Sequence, residues 1–249
     1  LLRGVYEMKR FVFFLLIVVV LVSGLALAKK PLAVVRSQKT IDKPANYPSY
    51  PADFDFFVKW LEKFAEFDII TDADVEAGVL RNYEAILLLD NAVMGADEVD
   101  AYFDFIDRGG RLFACYSTSL RKEDGSLTSY QLADIFGVTW VQWTNAKDKH
   151  NYIKFSDHPI FAGIDAPGLK NVNANAQIVS RNLATAIATW YNEDEVTPSE
   201  DADKNACILE NEGSIFVSFP IHNSVYLNNP AFNQLMKNIV LYLAPGAAK

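Results

Sequence analysis

The stretch AILLLDN, Ala85 to Asn91, constrains the fold more than any other part of this chain. Apolar side chains at every position from Ala85 to Leu89 leave no solvent face. As a strand, the run is therefore buried on both sides, as happens in a parallel sheet covered by helices on both faces. Its surroundings repeat a strand–helix alternation. Leu32 to Val35 reads as a short apolar strand. Pro51 to Phe67 then changes period, with Phe54, Phe57, Val58, Leu61 and Phe64 at helical spacing. Asp68 to Thr71 is the next predicted strand, followed by a short polar helix over Val75 to Arg81. Beyond Asn91, the segment Gly95 to Arg108 places Val99, Tyr102, Phe103 and Ile106 on one helical face, with Asp97 and Glu98 near its start and Gly109 just past its end. RLFACYS, Arg111 to Ser117, is a fourth strand, and Ser129 to Phe136, closed by Gly137, a short helix. Strands alternating with helices in this way imply βαβ units and a mainly parallel sheet.

From Val138 the texture changes. VTWVQWT (138–144), NYIKFS (151–156), QIVSRNLATAIATWY (177–191) and CILE (207–210) read as β segments separated by polar turns, an antiparallel extension in the C-terminal half. GSIFVSFPIH, Gly213 to His222, returns to the core. A terminal helix follows, announced by Asn229 as cap and Pro230 at its first position. Phe232, Leu235, Met236, Ile239 and Leu243 form its buried stripe, and Pro245-Gly246 stops it.

Residues 1–28 are set apart. Met8-Lys9-Arg10, the apolar run Phe11 to Val22 and the exit Ala26-Leu27-Ala28 form a signal-peptide pattern with cleavage expected after Ala28. Residues 1–7 precede the expected start at Met8. The alternative is an N-terminal membrane anchor, for which the apolar stretch is short. Secretion is the expectation, with no stable membrane span after cleavage. Residues 29–249 then form one domain, since no Pro/Gly/Ser linker divides them. They hold 20 basic and 30 acidic residues, a net charge of −10, which argues against nucleic acid or anionic lipid as partner. Cys115 and Cys207 are the two cysteines, and an oxidising compartment would permit but not require a bridge between them.

The pieces YEAILLLDN, IDRGGRLFACYS, QLADIFGV, DHPIFAGI and GSIFVSFPIH stand in an order that resembles the class I glutamine amidotransferase-like superfamily. The resemblance is greatest to its non-catalytic branch, the trimerisation domain of large β-galactosidases and the trehalose-utilisation-type domains. It implies a flavodoxin-like α/β fold across residues 32–244. In catalytic members a cysteine sits between glycines on a strand-to-helix elbow, and a histidine follows the last core strand with an acid two positions later. Cys115 and His222 fall near those two places. Their neighbours depart from the pattern: Ala114 and Tyr116 replace the glycines, the polar loop STSLRKEDGSLTS replaces the helix, and Asn223 and Ser224 follow His222. A non-catalytic binding domain, connected with carbohydrate through the resemblance, is therefore the leading expectation. A thiol hydrolase or amidotransferase-like enzyme using Cys115 and His222, and a structural oligomerisation module, are the alternatives.

An open parallel sheet binds its ligands at the carboxyl ends of its strands. The residues expected there are Arg36 and Ser37, Asp90 and Asn91, Tyr116 and Ser117, and His222 and Asn223. This set suits a small neutral polar ligand such as a sugar; a homo-oligomer or protein partner is the other expectation. YPSYPADF, Tyr47 to Phe54, is expected beside the same edge. No glycine occurs in VVRSQKTIDKPANYP, so no phosphate cradle follows the first strand, and no cofactor is expected. His150 reads as a solvated loop residue and His158 as a hydrogen-bonded turn residue. Asp201, Asp203, Asn205 and Glu212 have calcium-loop spacing, but Ala206 stands where that loop needs glycine and no helices flank it. An acidic solvated hairpin is the expectation there, and no metal site.

Overall fold

A computed structural model describes residues 29–43, 45–144, 149–173 and 175–249; the expected leader, residues 1–28, lies outside the described residues. Among the described residues no helix is long and apolar enough to cross a membrane. In chain order the first half contains β1 (Lys30–Arg36), α1 (Gln38–Ile41), α2 (Tyr50–Leu61), β2 (Asp68–Thr71), α3 (Asp72–Glu76), β3 (Tyr83–Leu89), α4 (Ala96–Asp107), β4 (Arg111–Cys115) and α5 (Ala133–Phe136). The second half contains β5 (Val138–Thr144), β6 (Tyr152–Phe155), β7 (Gly168–Lys170), β8 (Ala176–Arg181), β9 (Thr185–Tyr191), β10 (Ala206–Asn211), β11 (Ser214–Val217), α6 (Ser224–Leu227) and α7 (Pro230–Leu243).

The apolar run becomes β3, the middle of a five-strand parallel core ordered β2-β1-β3-β4-β11. This is the doubly wound, flavodoxin-like order. Alternate residues enter opposite layers. Val34, Leu87, Phe113 and Val217 pack beneath α2 and α7, whereas Val35, Ile86, Leu88, Leu112 and Ala114 pack towards α4. The antiparallel extension is added at β11, continuing β10-β9-β6-β7, while β5 and β8 form a separate two-stranded ribbon.

Several expected elements are redrawn. The helix expected to reach Phe67 ends at Leu61. Lys63 and Phe64 make tightened bonds to Trp60 and Leu61, and the Glu66 N–H is captured by the Ala247 carbonyl at 2.7 Å. The polar helix over Val75 to Arg81 is broken by Gly78, at φ 78°, into α3 and a short 3-10 turn over Val79–Asn82. The segment QIVSRNLATAIATWY is two strands in different sheets, and β7 is an addition. The break centres on Gly137. Its carbonyl accepts from the N–H groups of Asn182, Leu183 and Ala184, and its own φ is 65°. A Cβ there would lie 2.6 Å from the Ala184 nitrogen. Gly137→Ala is therefore expected to destabilise by roughly 2–4 kcal/mol, from steric conflict and the left-handed backbone together. Urea unfolding checks this.

Candidate functional site

The sheet register sets the site. Leu89, Cys115 and Val217 lie level on adjacent strands, so the residues that follow, Asp90 and Tyr116, emerge side by side at the carboxyl edge. Both have left-handed backbones, with φ 61° at Asp90 and 54° at Tyr116. Aspartate tolerates that region, but a bulky residue adopts it only when its surroundings enforce it. Here they do. The Tyr116 N–H donates to the Val217 carbonyl at 2.8 Å, and the Tyr130 hydroxyl donates to the Tyr116 carbonyl at 3.0 Å. The Ser117 N–H donates to Asp90 Oδ1 at 2.9 Å, and Thr118 Oγ1 to the Cys115 carbonyl at 2.7 Å. The absence of flanking glycines led to the expectation of no elbow. The structure corrects this: a left-handed bend is present, built by hydrogen bonds, but it falls on Tyr116. Cys115 stays one residue earlier, inside the strand.

Cys115 and His222 do meet. Sγ lies 3.2 Å from Nδ1, with the cysteine fully buried and the histidine 2% exposed. Burial drives the thiol well above its ordinary range, and the nearby Asp90 charge adds to this. Burial lowers the imidazole to about 4. Around neutrality both groups are uncharged, so the contact is a hydrogen bond between neutral partners, its direction set by the imidazole tautomer. A nucleophilic thiolate needs the opposite conditions, exposure and positive surroundings. Asn223 offers His222 no orienting carboxylate; its Oδ1 caps α6, accepting from the N–H groups of Val225 and Tyr226. Cys207 is also buried and free, so the cysteines form no bridge.

The remaining expected ligand groups divide by exposure. Ser37, Asn91 and Ser117 are buried and committed to the frame. Ser37 Oγ accepts from the Thr40 N–H to cap α1. Asn91 joins strands by donating to the Val35 carbonyl at 3.0 Å and accepting from the Leu89 N–H at 2.9 Å. Ser117 Oγ accepts from Gln177 Nε2 at 3.1 Å. Arg36, Asp90 and Tyr116 remain partly open. The Arg36 guanidinium lies over the Phe54 ring at 5.9 Å, and its buried Nε has no hydrogen-bond partner among the described residues. Withdrawal from water raises the Asp90 carboxyl to about 8, against the lowering effect of its Ser117 bonds. The charge of Asp53 contributes further. At neutral pH Asp90 is thus largely a carboxylic acid, able to donate a hydrogen bond.

Sequence reasoning did not single out Asp53, Arg121 or Gln177. Asp53 lies within the quoted YPSYPADF stretch, and burial raises its own carboxyl. Arg121 Nε donates to the Tyr47 hydroxyl at 3.0 Å, holding that stretch against the turn beyond Tyr116. On the flank, Lys39 bonds Glu76 and, at 3.1 Å, the buried Glu98, tying α1 to α3 and α4.

Away from the edge, His150 is corrected from a solvated loop residue to a buried one. It is 2% exposed, with Nε2 3.1 Å from Glu200 Oε1 and its ring edge-on to Trp190. His158 is the expected turn residue: Nδ1 accepts from the Ile160 N–H at 3.4 Å. The calcium-like set does not converge. Asp201, Asp203 and Asn205 precede β10, whereas Glu212 lies in the turn after it, about 20 Å further along an extended strand of that length. Asn205 Oδ1 instead accepts from the Glu200 N–H at 3.1 Å. Among the described residues no group of three or more histidine, cysteine or acidic side chains is placed to hold a metal.

No family model and no curated protein sequence matches this chain. Solved structures share its fold. A ThuA-like protein from Bacteroides uniformis superposes with a TM-score of 0.62 at 13% identity, over 88% of this chain and 93% of its own. The β-galactosidase of the Antarctic haloarchaeon Halorubrum lacusprofundi superposes with a TM-score of 0.62 at 16% identity, over 89% of this chain. That of Bacillus circulans sp. alkalophilus gives 0.61 at 13% identity, over 88%. This chain spans 32% of the length of each of these two β-galactosidases. At such identities the likeness establishes the flavodoxin-like fold, and function must be argued from the site.

Proposed function

We propose that this chain is an exported, non-catalytic α/β domain of the amidotransferase-like superfamily that binds a neutral polar ligand of carbohydrate type at the carboxyl edge of its sheet. One observation carries the reading. The would-be nucleophile and base, Cys115 and His222, form a sealed and uncharged pair, while Arg36, Asp90 and Tyr116 beside them remain partly open. The edge thus offers hydrogen-bonding groups to a ligand and withholds the thiol. Fold neighbours among β-galactosidases and a ThuA-like protein support a carbohydrate connection, and the apolar run before Lys29 supports export.

Thiol titration tests the non-catalytic reading. The native protein is expected to show no thiol reactive towards a disulfide reagent at pH 7.5 and two after unfolding. Cys115→Ala is expected to bind lactose with the affinity of the parent chain by calorimetry. A fast-reacting native thiol that disappears in Cys115→Ala would instead favour the thiol-enzyme alternative.

A further inference from the structure

We infer that Trp140 and Trp143 on the β5–β8 ribbon form a stacking platform for a pyranose ring at the rim of the strand-end crevice; the inference rests on the carbohydrate reading above and specifies where the ring lies. Two residues three apart in a regular strand point to opposite faces. Trp140 and Trp143 nevertheless touch, with ring centroids 4.9 Å apart at 68°. The cause is in the register. Gln142 pairs with Ile178 and Trp140 with Val179, so Val141 has no partner and acts as a bulge that brings both indoles to one face. Bulges recur where a strand must re-aim a side chain beside a functional site. The face carrying both indoles is also the face of Gln177, which lies directly across from Trp143.

That face connects to the crevice by an unbroken chain of hydrogen bonds. Trp140 Nε1 donates to Gln177 Oε1 at 2.6 Å, Gln177 Nε2 donates to Ser117 Oγ at 3.1 Å, and the Ser117 N–H donates to Asp90 Oδ1 at 2.9 Å. Gln177 is fully buried, so the glutamine locks the ribbon onto the elbow. Trp140 is thereby held in orientation, and Trp143, 41% exposed, leans on it with its surface open to solvent. A large open indole on a rigid support has a specific use. It presents a flat apolar face at little entropic cost, beside polar groups that fix orientation. A pyranose matches both features, since its axial C–H face is apolar and its rim is hydroxylated. The chain's net charge of −8 further disfavours an anionic ligand.

The test uses the full chain with methyl β-D-galactopyranoside, lactose and trehalose as probes and sorbitol as an acyclic control, read by calorimetry and tryptophan emission. At least one sugar is expected to bind and sorbitol not. Trp143→Ala is expected to weaken that binding about tenfold, and Trp143→Phe to retain most of it, with the melting temperature of both unchanged. Equal sugar affinity in Trp143→Ala, with loss in Arg36→Ala, overturns the platform and leaves the crevice reading standing. Sorbitol binding as well as the sugars also overturns stacking. No binding of any sugar to the parent chain at about 20 mM overturns both readings.

Discussion

Asp90→Asn is expected to make this protein more stable, and the gain is expected to grow with pH. The carboxyl of Asp90 titrates at about 8 in the folded chain against an ordinary aspartate value of 3.8. The folded state therefore keeps a proton between these values that the unfolded state has already released. A carboxyl raised in this way favours unfolding progressively as pH rises from about 4, and the penalty levels off above 8. The whole displacement would carry roughly 6 kcal/mol. Partial solvent access at Asp90 reduces this, and about 2–4 kcal/mol at pH 8 is expected. Asparagine keeps Oδ1 as acceptor for the Ser117 N–H, never ionises, and tolerates the left-handed backbone at φ 61°. Urea unfolding at pH 4.5, 6 and 8 should show parent and variant close together at the lowest pH and separating above it. A constant difference across the range would mean that Asp90 does not titrate as argued.

A residue that costs stability where a near-isostere would not points to a use for the group itself. Asp90 meets that description at a strand end, next to a strained Tyr116 and a half-buried Arg36 whose Nε has no partner among the described residues. A protonated acid, a phenol and a guanidinium, each partly exposed, give three kinds of donor along one strand edge. This suits a ligand rich in acceptor oxygens, such as a sugar. The same set makes no nucleophile. The two cores above and below the sheet leave no freedom for Cys115 to leave its strand, because Ala114 and Phe113 fix both faces.

Much of this architecture was legible in the residues, for a physical reason. The run Ala85–Leu89 cannot be placed except between two layers, and the capped terminal helix declares both of its ends: Asn229 Oδ1 accepts from the N–H groups of Ala231 and Phe232. Six of the eight residues expected at the edge, Arg36, Ser37, Asp90, Asn91, Tyr116 and Ser117, end or directly follow β1, β3 and β4, because sheet topology decides which residues share an edge; His222 and Asn223 instead lie in the turn beyond Val217, where β11 ends five residues short of the expected His222. What local patterning could not reveal was which of them remain free. Ser37, Asn91, Ser117 and Asn223 look like ligand groups in sequence, yet Ser37 and Asn223 cap helices, Asn91 joins strands and Ser117 accepts from Gln177. The elbow at Tyr116 was missed because glycine is the usual local sign of a left-handed bend. Here the bend is imposed from a distance, by Val217, Tyr130 and Asp90. His150 was misplaced for the same reason: its burial comes from Trp190 and Ser199, about forty or more positions away in the chain.

The Cys115–His222 pair yields the second large effect. His222 titrates at about 4 when folded against an ordinary 6.5. Between those values the unfolded chain takes up a proton that the folded chain refuses, so the stability present above pH 6.5 is lost as pH falls towards 4. The slope approaches 1.4 kcal/mol per pH unit, about 3 kcal/mol in all. Asp90 and Glu98, whose carboxyls are raised to about 8 and about 7, act in the opposite direction on acidification. The parent chain's own pH profile therefore blends opposing contributions, and a variant is needed to isolate the histidine. His222→Asn removes the titration while offering an acceptor to the thiol, and at pH 7.5 it is expected to cost about 2 kcal/mol through the volume lost from a sealed site. By pH 4.5 that deficit should close or reverse, because the variant escapes the protonation that weakens the parent. Parallel unfolding curves from pH 7.5 to 4.5 would show that His222 titrates at its ordinary value when folded and would sink the buried, neutral reading, whereas a deficit that widens on acidification would show that the imidazole is already charged in the folded state. That result would restore an ion pair with the thiolate and, with it, the case for a nucleophilic Cys115. Convergence of the curves would instead identify the pair as a neutral hydrogen-bonded strut closing the floor of the crevice.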